Sequence, residues 1–348
     1  MPRAEALLIP LGAVLVGLLI FSVFLIAVGK SPIDFYALVY KAGFSSAFSW
    51  QNTLSRVSPL LFAALCVALP ARLGLVIIGG EGAIALGGLA AAVVGVWLVG
   101  APALIAMPLM VLAAMMIGGG WIGIAGALRF KRGVNETISS LLLAYIAIAL
   151  LNHLVEGPFR DPNSLNKPST APLDAALRVG DMPIGISVHW GFAVGVLACI
   201  LCWVLMERTT LGFAARIAGD NVRAAQVQGL PVGKLIISFT ALGGAFAGLA
   251  GYFEVTAIHG SANASLVSGY GYTGILVAFL ARHNPLAIIP VAILLAGFEA
   301  SSGLVQRRMD LPDATVLVMQ GIVFVTILLS ETLYGRFKIF TPDYWVKP

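Results

Sequence analysis

Long apolar runs constrain this chain more than any other feature of its sequence. A helix that crosses the hydrocarbon core of a bilayer needs about 20 consecutive apolar residues. Seven segments approach or exceed that length, at 6–28, 83–100, 102–128, 137–155, 189–206, 235–256 and 313–332. Three interrupted segments, at 54–71, 266–281 and 285–304, bring the number of predicted spans to about ten. The sequence therefore predicts an all-α fold, a polytopic membrane helix bundle of about ten transmembrane helices.

The charge content supports a lipid environment. Only 11% of the residues are charged and 59% are hydrophobic, whereas soluble domains carry about 25% charged residues. The first apolar run continues from Ala6 to Val28 without a small-x-small cleavage site, which predicts a retained helix rather than a signal peptide. No hydrophilic segment is long enough to fold alone, so residues 1–348 are predicted to form a single transmembrane domain.

The basic residues predict how the chain is oriented. With the N-terminus in the cytoplasm, thirteen of the 21 lysines and arginines fall in inner loops and eight fall outside, as the positive-inside rule requires. This predicts a multi-pass protein of a cytoplasmic (inner) membrane with both termini in the cytoplasm. Arg307 and Arg308 fall in a short outer turn, an exception that the sequence does not explain.

Two hydrophilic loops separate the predicted spans. Residues 157–188 form a proline-rich loop that is predicted to lie outside, and residues 207–234 form a loop that is predicted to lie in the cytoplasm. In the inner loop, Asp220 or Asn221 suits a helix N-cap, and Gly229, followed by a proline two residues later, suits a C-terminal stop. These signals predict a short helix of about two turns.

That short helix has features suited to contact with another protein. Ala224 and Ala225 are small enough to let a partner approach closely, and Arg216 and Arg223 add charge. An ordinary capped loop helix without a partner explains the same pattern, so these residues alone leave both interpretations open.

Two glycine-rich breaks, at 79–82 and 269–274, are candidate parts of a solute pathway. Polar backbone at membrane depth is tolerated only where it is buried in protein or lines water, although close helix packing through glycine explains the same residues. Glu81 lies inside the first break, and a carboxylate at mid-bilayer costs about 2.5–3.5 kcal/mol on insertion scales. It is therefore expected to face a cavity, or to accept hydrogen bonds from the N–H groups freed by its own break.

Other polar and aromatic residues are weaker candidates. Glu254 and Glu299 are expected to snorkel to the outer interface. Tyr270, Tyr272 and Phe253 could stack on a flat ring such as a nucleobase, but tyrosine also populates the interfacial belt of membrane proteins. The predicted pathway residues are Gly79, Glu81, Gly82, Tyr270, Tyr272 and Thr273.

Several function classes lack the residues that they need. No G-x-x-x-x-G-K-[ST] phosphate loop occurs, so any ATP hydrolysis must belong to another polypeptide. The cysteines, Cys66, Cys199 and Cys202, lie in apolar runs and are expected to be buried hydrophobic residues, and no metal site is expected. No cluster of His, Asp or Ser near an interface indicates an enzyme. An ion-coupled secondary transporter, with Glu81 as the carrier, remains a rival hypothesis.

Two segments resemble one family of ABC importer permeases, which transport branched-chain amino acids, sugars and nucleosides. The pattern Ala224-Ala225-x-x-x-Gly229 is similar to the loop by which such permeases dock on their ATPases, with Arg223 in place of the usual glutamate. The segment 73–82 is similar to the N-I-G-x-E-G segment of that family. Its asparagine is replaced here, while the glycines and the glutamate keep their places.

Further segments resemble the subgroup that works with lipoprotein nucleoside-binding proteins. They lie at 134–146, 157–162 and 269–278, and the whole resemblance covers about residues 55–335. It implies a type II permease of a bacterial importer, which moves a nucleoside or, as alternatives, a simple sugar or a branched-chain amino acid.

The resemblance also implies partners and a coupling site. A separate ATPase would bind ATP and Mg²⁺, and this chain would bind no cofactor itself. A second, different permease would pair with it, and an extracytoplasmic binding lipoprotein would deliver solute at the outer face. The resemblance to the ATPase-docking loop, together with the predicted N-cap of the short helix, implies a set of coupling residues. They are Asn221, Arg223, Ala224, Ala225 and Gly229.

Overall fold

The computed structural model describes residues 2–164, 167–183 and 185–332, and most of this part of the chain is helical. Its α-helices are α1 (Pro2–Ala27), α2 (Pro32–Phe44), α3 (Ala47–Ala71), α4 (Gly80–Trp97), α5 (Ala103–Arg132), α6 (Glu136–Glu156), α7 (Gly191–Arg208), α8 (Thr210–Asp220), α9 (Val222–Val227), α10 (Val232–Phe253), α11 (Tyr270–Leu280), α12 (Pro285–Met309) and α13 (Ala314–Glu331). A π-helical turn, Glu254–His259, follows α10. The predicted all-α membrane bundle is confirmed.

The number of spans is lower than predicted. Among the described residues, α3, α4, α5, α6, α7, α10 with its π-helical turn, and α12 are long and apolar enough to cross a membrane, which makes seven. The pair α1 and α2, bent by 119°, would add one more. With its 11 residues, α11 reaches only about 16 Å at about 1.5 Å per residue, roughly half of the hydrocarbon core. The prediction of about ten was therefore slightly too high.

Local sequence signals set several helix ends. Ser31 caps α2 by accepting a hydrogen bond from the Asp34 N–H, and Pro32 occupies its first turn. Asn135 caps α6 by accepting hydrogen bonds from two N–H groups of the first turn. Gly133 ends α5 in the left-handed conformation, with φ of +69°. Such caps satisfy backbone groups that a helix end otherwise leaves unpaired.

Contacts between residues divide the chain into two compact units. The first comprises the described parts of Met1–Thr53 and Leu294–Pro348, and the second is Leu54–Ile293. In the first unit, α1 packs against α13, and a Cβ on Gly17 would lie 2.9 Å from the Val323 Cα. The Thr53 hydroxyl also donates to the Gly43 carbonyl, at 2.8 Å.

In the second unit, α4, α5 and α10 form the tightest packing. A Cβ on Gly87 would collide with the backbone of Gly248, and one on Gly244 would collide with the Gly118 carbonyl. Small residues allow such close approach of helices in a membrane, where lipid supplies no hydrophobic driving force for helix association. The three cysteines are buried and free, as expected.

The proline-rich loop after α6 lies on the segment that follows α10. The Thr170 N–H donates to the Ala262 carbonyl at 2.9 Å, and the Leu173 N–H donates to the Gly260 carbonyl at 2.8 Å. The Val179 N–H donates to the Thr256 carbonyl at 3.2 Å. These bonds hold the long loop against one end of the second unit.

Candidate solute pathway and coupling surface

Glu81 lies in the first turn of α4 and is fully buried. Its Oε1 accepts a hydrogen bond from the Gly269 N–H at 2.7 Å, and its Oε2 accepts one from the Gly271 N–H at 2.6 Å. Gly269 caps α11 in the left-handed conformation, with φ of +86°. The carboxylate therefore occupies the N-terminus of α11, where backbone donors are unpaired and the helix dipole favours a negative charge.

The two glycine-rich breaks thus meet at this carboxylate. The alternative to a cavity-facing Glu81 was that it accepts hydrogen bonds from the N–H groups of its own break, residues 79–82. The two N–H donors found here instead belong to the second break, 269–274. The positions joined are 188 and 190 residues apart in sequence. A buried carboxylate with charge-assisted bonds to two N–H groups is a strong link between α4 and α11.

The predicted glycines have packing roles. A Cβ on Gly79 would lie 2.6 Å from the Ser140 carbonyl oxygen, and one on Gly82 would lie 2.7 Å from the Ala144 Cα. These two glycines let α4 approach α6, and a Cβ on Gly271 would collide with the Glu81 backbone. Their part in lining a pathway stays a prediction.

The structure separates the predicted aromatic and hydroxyl candidates. Tyr270 and Thr273 are buried, whereas Tyr272 is 38% exposed. Residues two apart on a helix do not share a face, so the two tyrosines do not form one stacking surface. Phe253 is buried in an aromatic stack with Phe62, with ring centroids 5.5 Å apart.

Glu254 does not snorkel, so that prediction was wrong. The side chain is only 2% exposed, and its Oε2 lies 3.4 Å from the His259 Nε2. Both residues belong to the π-helical turn after α10, and its wider winding brings residues five apart close together. Glu299 on α12 is partly exposed.

The short helix of the 207–234 loop is confirmed as α9. The Asn221 Oδ1 accepts a hydrogen bond from the Ala224 N–H at 3.0 Å, and Gly229 follows the helix with φ of +77°. The helix has six residues, a little under two turns at about 3.6 residues per turn. The helix that precedes it, α8, was not predicted, although Thr209 caps it by accepting a hydrogen bond from the Gly212 N–H.

Only part of α9 is accessible. Ala225 is fully buried against its own chain, so the expectation that both alanines face a partner was wrong for this residue. Arg223 and Ala224 are exposed, and Val227 is 89% exposed. A six-residue helix that packs on the bundle through one face must bury some of its small residues there.

An ion-pair network connects this loop to the end of α3. Glu207 lies 3.0 Å from Arg72 through its Oε1 and 2.9 Å from Arg216 through its Oε2. A Cβ on Gly219 in α8 would collide with the Arg72 carbonyl. Residues 72–79 then connect the end of α3 to the start of α4, where Glu81 lies.

A bundle of apolar helices in which a buried carboxylate joins two glycine-rich helix breaks has the architecture of a membrane transport protein. Residues 49–328 match the family described as branched-chain amino acid transport system / permease component. This match covers most of the sequence, and the chain therefore belongs to this family of ABC importer permeases.

Individual relatives align over nearly the whole chain. It is 34% identical to the glucose ABC transporter permease protein TsgB13 of Haloferax volcanii, over 95% of this chain and 89% of that protein. It is 29% identical to the guanosine ABC transporter permease protein NupP of Bacillus subtilis, over 95% of each. It is 25% identical to the nucleoside ABC transporter permease protein NupB of Lactococcus lactis, over 92% of this chain and 91% of that protein.

Proposed function

We propose that this ABC importer permease moves a nucleoside across the cytoplasmic membrane, driven by ATP that a separate subunit hydrolyses. The single observation that supports coupling to this separate subunit is the accessible surface of α9. An N-cap and a glycine stop fix this short helix between two spanning helices. Arg223, Ala224 and Val227 form this surface. An exposed apolar residue beside a charge is suited to a protein interface with a small apolar centre.

The proposed orientation places α9 in the cytoplasm, with both termini on the same side. The loops that the charge bias assigns to the inside adjoin one another in the second unit, which supports this orientation. Arg72 pairs with Glu207, and a Cβ on Gly233 would collide with the Phe130 ring. The basic residues after 332, which belong to the same prediction, lie outside the described residues.

The remaining partners follow from the family. A binding protein would deliver solute to the opposite end, where the 157–188 loop covers the segment after α10. A cleft of about 240 Å³ lies there, between the end of α4 and residues 158–162, with Trp97 on its wall. A second permease would complete the pathway, because the resembling subgroup pairs two different chains.

The nature of the solute rests on the relatives. The guanosine and nucleoside names of two of them support a nucleoside. The glucose name of the relative at 34% identity favours a sugar as a second candidate. Uptake of radiolabelled guanosine and glucose by proteoliposomes with the assembled importer separates the two. Uptake of guanosine is expected, and ATP-dependent uptake of glucose alone would contradict the nucleoside assignment.

The coupling role of α9 is tested by Gly229→Arg. This substitution should reduce ATP-dependent uptake by about tenfold or more, the loss typical of a disrupted interface centre, while solute-loaded binding protein still docks. Gly133→Arg is a matched control, because Gly133 also has positive φ, at +69°, and open space around its Cβ position. Equal uptake by the two variants would contradict the docking role.

A further inference from the structure

A cleft of about 580 Å³ opens in the first compact unit, between the α1–α2 turn and the residues that end α12. Its volume lies within the range of about 300–1,000 Å³ that is typical of small-molecule sites. Half of its ten lining residues are charged, and they are Lys30, Asp34, Lys41, Arg308 and Asp310. Arg308 belongs to the basic pair for which the charge bias gave no explanation.

The cations of this cleft are not neutralised by ion pairs within the described chain. The carboxylates that form ion pairs among the described residues are those of Glu136, Glu207 and Glu254. None of these pairs includes Lys30, Lys41 or Arg308. Unneutralised cations grouped in a concave site attract an anion. Three cations against two carboxylates leave one net positive charge in the cleft, which matches a ligand with one negative charge.

An apolar stripe on α1 leads to the cleft. Leu19, Val23 and Ile26 are 67%, 67% and 64% exposed, and their spacing of four and three residues places them on one side of the helix. The helix ends at Ala27, and Lys30 follows after a two-residue turn, on the wall of the cleft. In a chain that spans a bilayer, such a stripe faces acyl chains.

We propose that the cleft binds the headgroup of a membrane phospholipid with one net negative charge, such as phosphatidylglycerol. The phosphate would be held by Lys30, Lys41 and Arg308, and the glycerol hydroxyls would donate to Asp34 or Asp310. The acyl chains would lie along the stripe on α1. Arg308 is then retained on the proposed outer side because it binds a lipid.

Native mass spectrometry of the purified full-length chain tests this proposal. The chain is titrated with phosphatidylglycerol and, separately, with phosphatidylcholine, and we expect preferential retention of phosphatidylglycerol. Arg308→Gln and Lys41→Gln should each weaken this binding about fivefold, since a basic residue near an anionic lipid contributes about 1 kcal/mol. Arg307→Gln is the matched control, because this neighbour is exposed but does not line the cleft, and it should change the affinity less than twofold.

Three outcomes would overturn the proposal. The first is equal retention of the two lipids, and the second is an equal effect of the Arg307 and Arg308 substitutions. The third is displacement of phosphatidylglycerol by millimolar inorganic phosphate, which would assign the cleft to a free anion instead. Solute uptake is not measured in this experiment, so its result is independent of the proposed nucleoside transport.

Discussion

The Gly271 N–H donates a hydrogen bond to the Glu81 carboxylate at 2.6 Å, inside the second compact unit. This bond joins the start of α4 to the start of α11, the two helices that follow the glycine-rich breaks. Discontinuous helices whose N-terminal ends approach one another are common where transporters bind their solutes. We therefore expect the first turns of α4 and α11 to be sensitive to small substitutions.

Removal of the Glu81 charge should impair transport. In Glu81→Gln one carboxylate oxygen becomes an NH₂ group that faces a backbone N–H, so at least one buried donor loses its partner, at a cost of about 1–3 kcal/mol. We expect lower thermal stability in detergent and lower uptake, with normal membrane insertion. Glu156→Gln, at the exposed end of α6, is the control. If Glu81→Gln took up solute at the wild-type rate, Glu81 would have at most a structural role and no role in transport.

The close approach of α11 to Glu81 should depend on the absence of a side chain at position 271. Gly271→Ala would place a methyl group against the Glu81 backbone, whereas Gly120→Ala in α5 meets no atom within 4 Å. Overpacking of this kind costs typically about 1–3 kcal/mol. Gly271→Ala should therefore lower the melting temperature and the uptake, and the control should change neither. Identical unfolding curves would show that this contact is not tight.

The ion-pair network at Glu207 should matter more for coupling than for stability. Its members are partly exposed, with 25%, 31% and 46% of the side-chain surface accessible, and such pairs contribute about 1 kcal/mol or less. Glu207→Gln should leave the melting temperature nearly unchanged but reduce the uptake obtained per ATP hydrolysed. Asp220→Asn, in the same loop and without an ion pair among the described residues, is the control. Unchanged uptake per ATP would exclude the network from coupling.

Acid should destabilise the loop between α11 and α12. Burial, aided by the nearby Arg72, lowers the pKa of His283 from 6.5 to about 4. The unfolded chain therefore binds a proton that the folded chain does not, and stability falls as the pH drops from about 6.5 towards 4. The melting temperature of His283→Asn should change less between pH 7.5 and pH 5 than that of the wild type. An equal change would show that other groups cause the effect.

Local features of this chain could be predicted from sequence, and distant ones could not. Asn221 and Gly229 gave the start and end of α9 correctly, because caps and stops depend on neighbouring residues. The partners of Glu81 lie 188 and 190 residues away, so no local pattern indicates them. Residues 266–281 were predicted to span the membrane because they are apolar. Hydropathy does not detect that the helix in this segment, α11, begins only after Gly269. The burial of Glu254 depends on a π-helical turn that has no sequence signature.

The central claim, that α9 is a cytoplasmic docking surface for an ATPase, is tested most directly by labelling at Val227. In a chain without its three native cysteines, Val227→Cys should react with a membrane-impermeant maleimide in inside-out vesicles and not in intact cells, and bound ATPase should protect it. Ala176→Cys, in the loop proposed to lie outside, should show the reverse pattern. Labelling of Val227→Cys in intact cells, or equal labelling with and without the ATPase, would contradict the account.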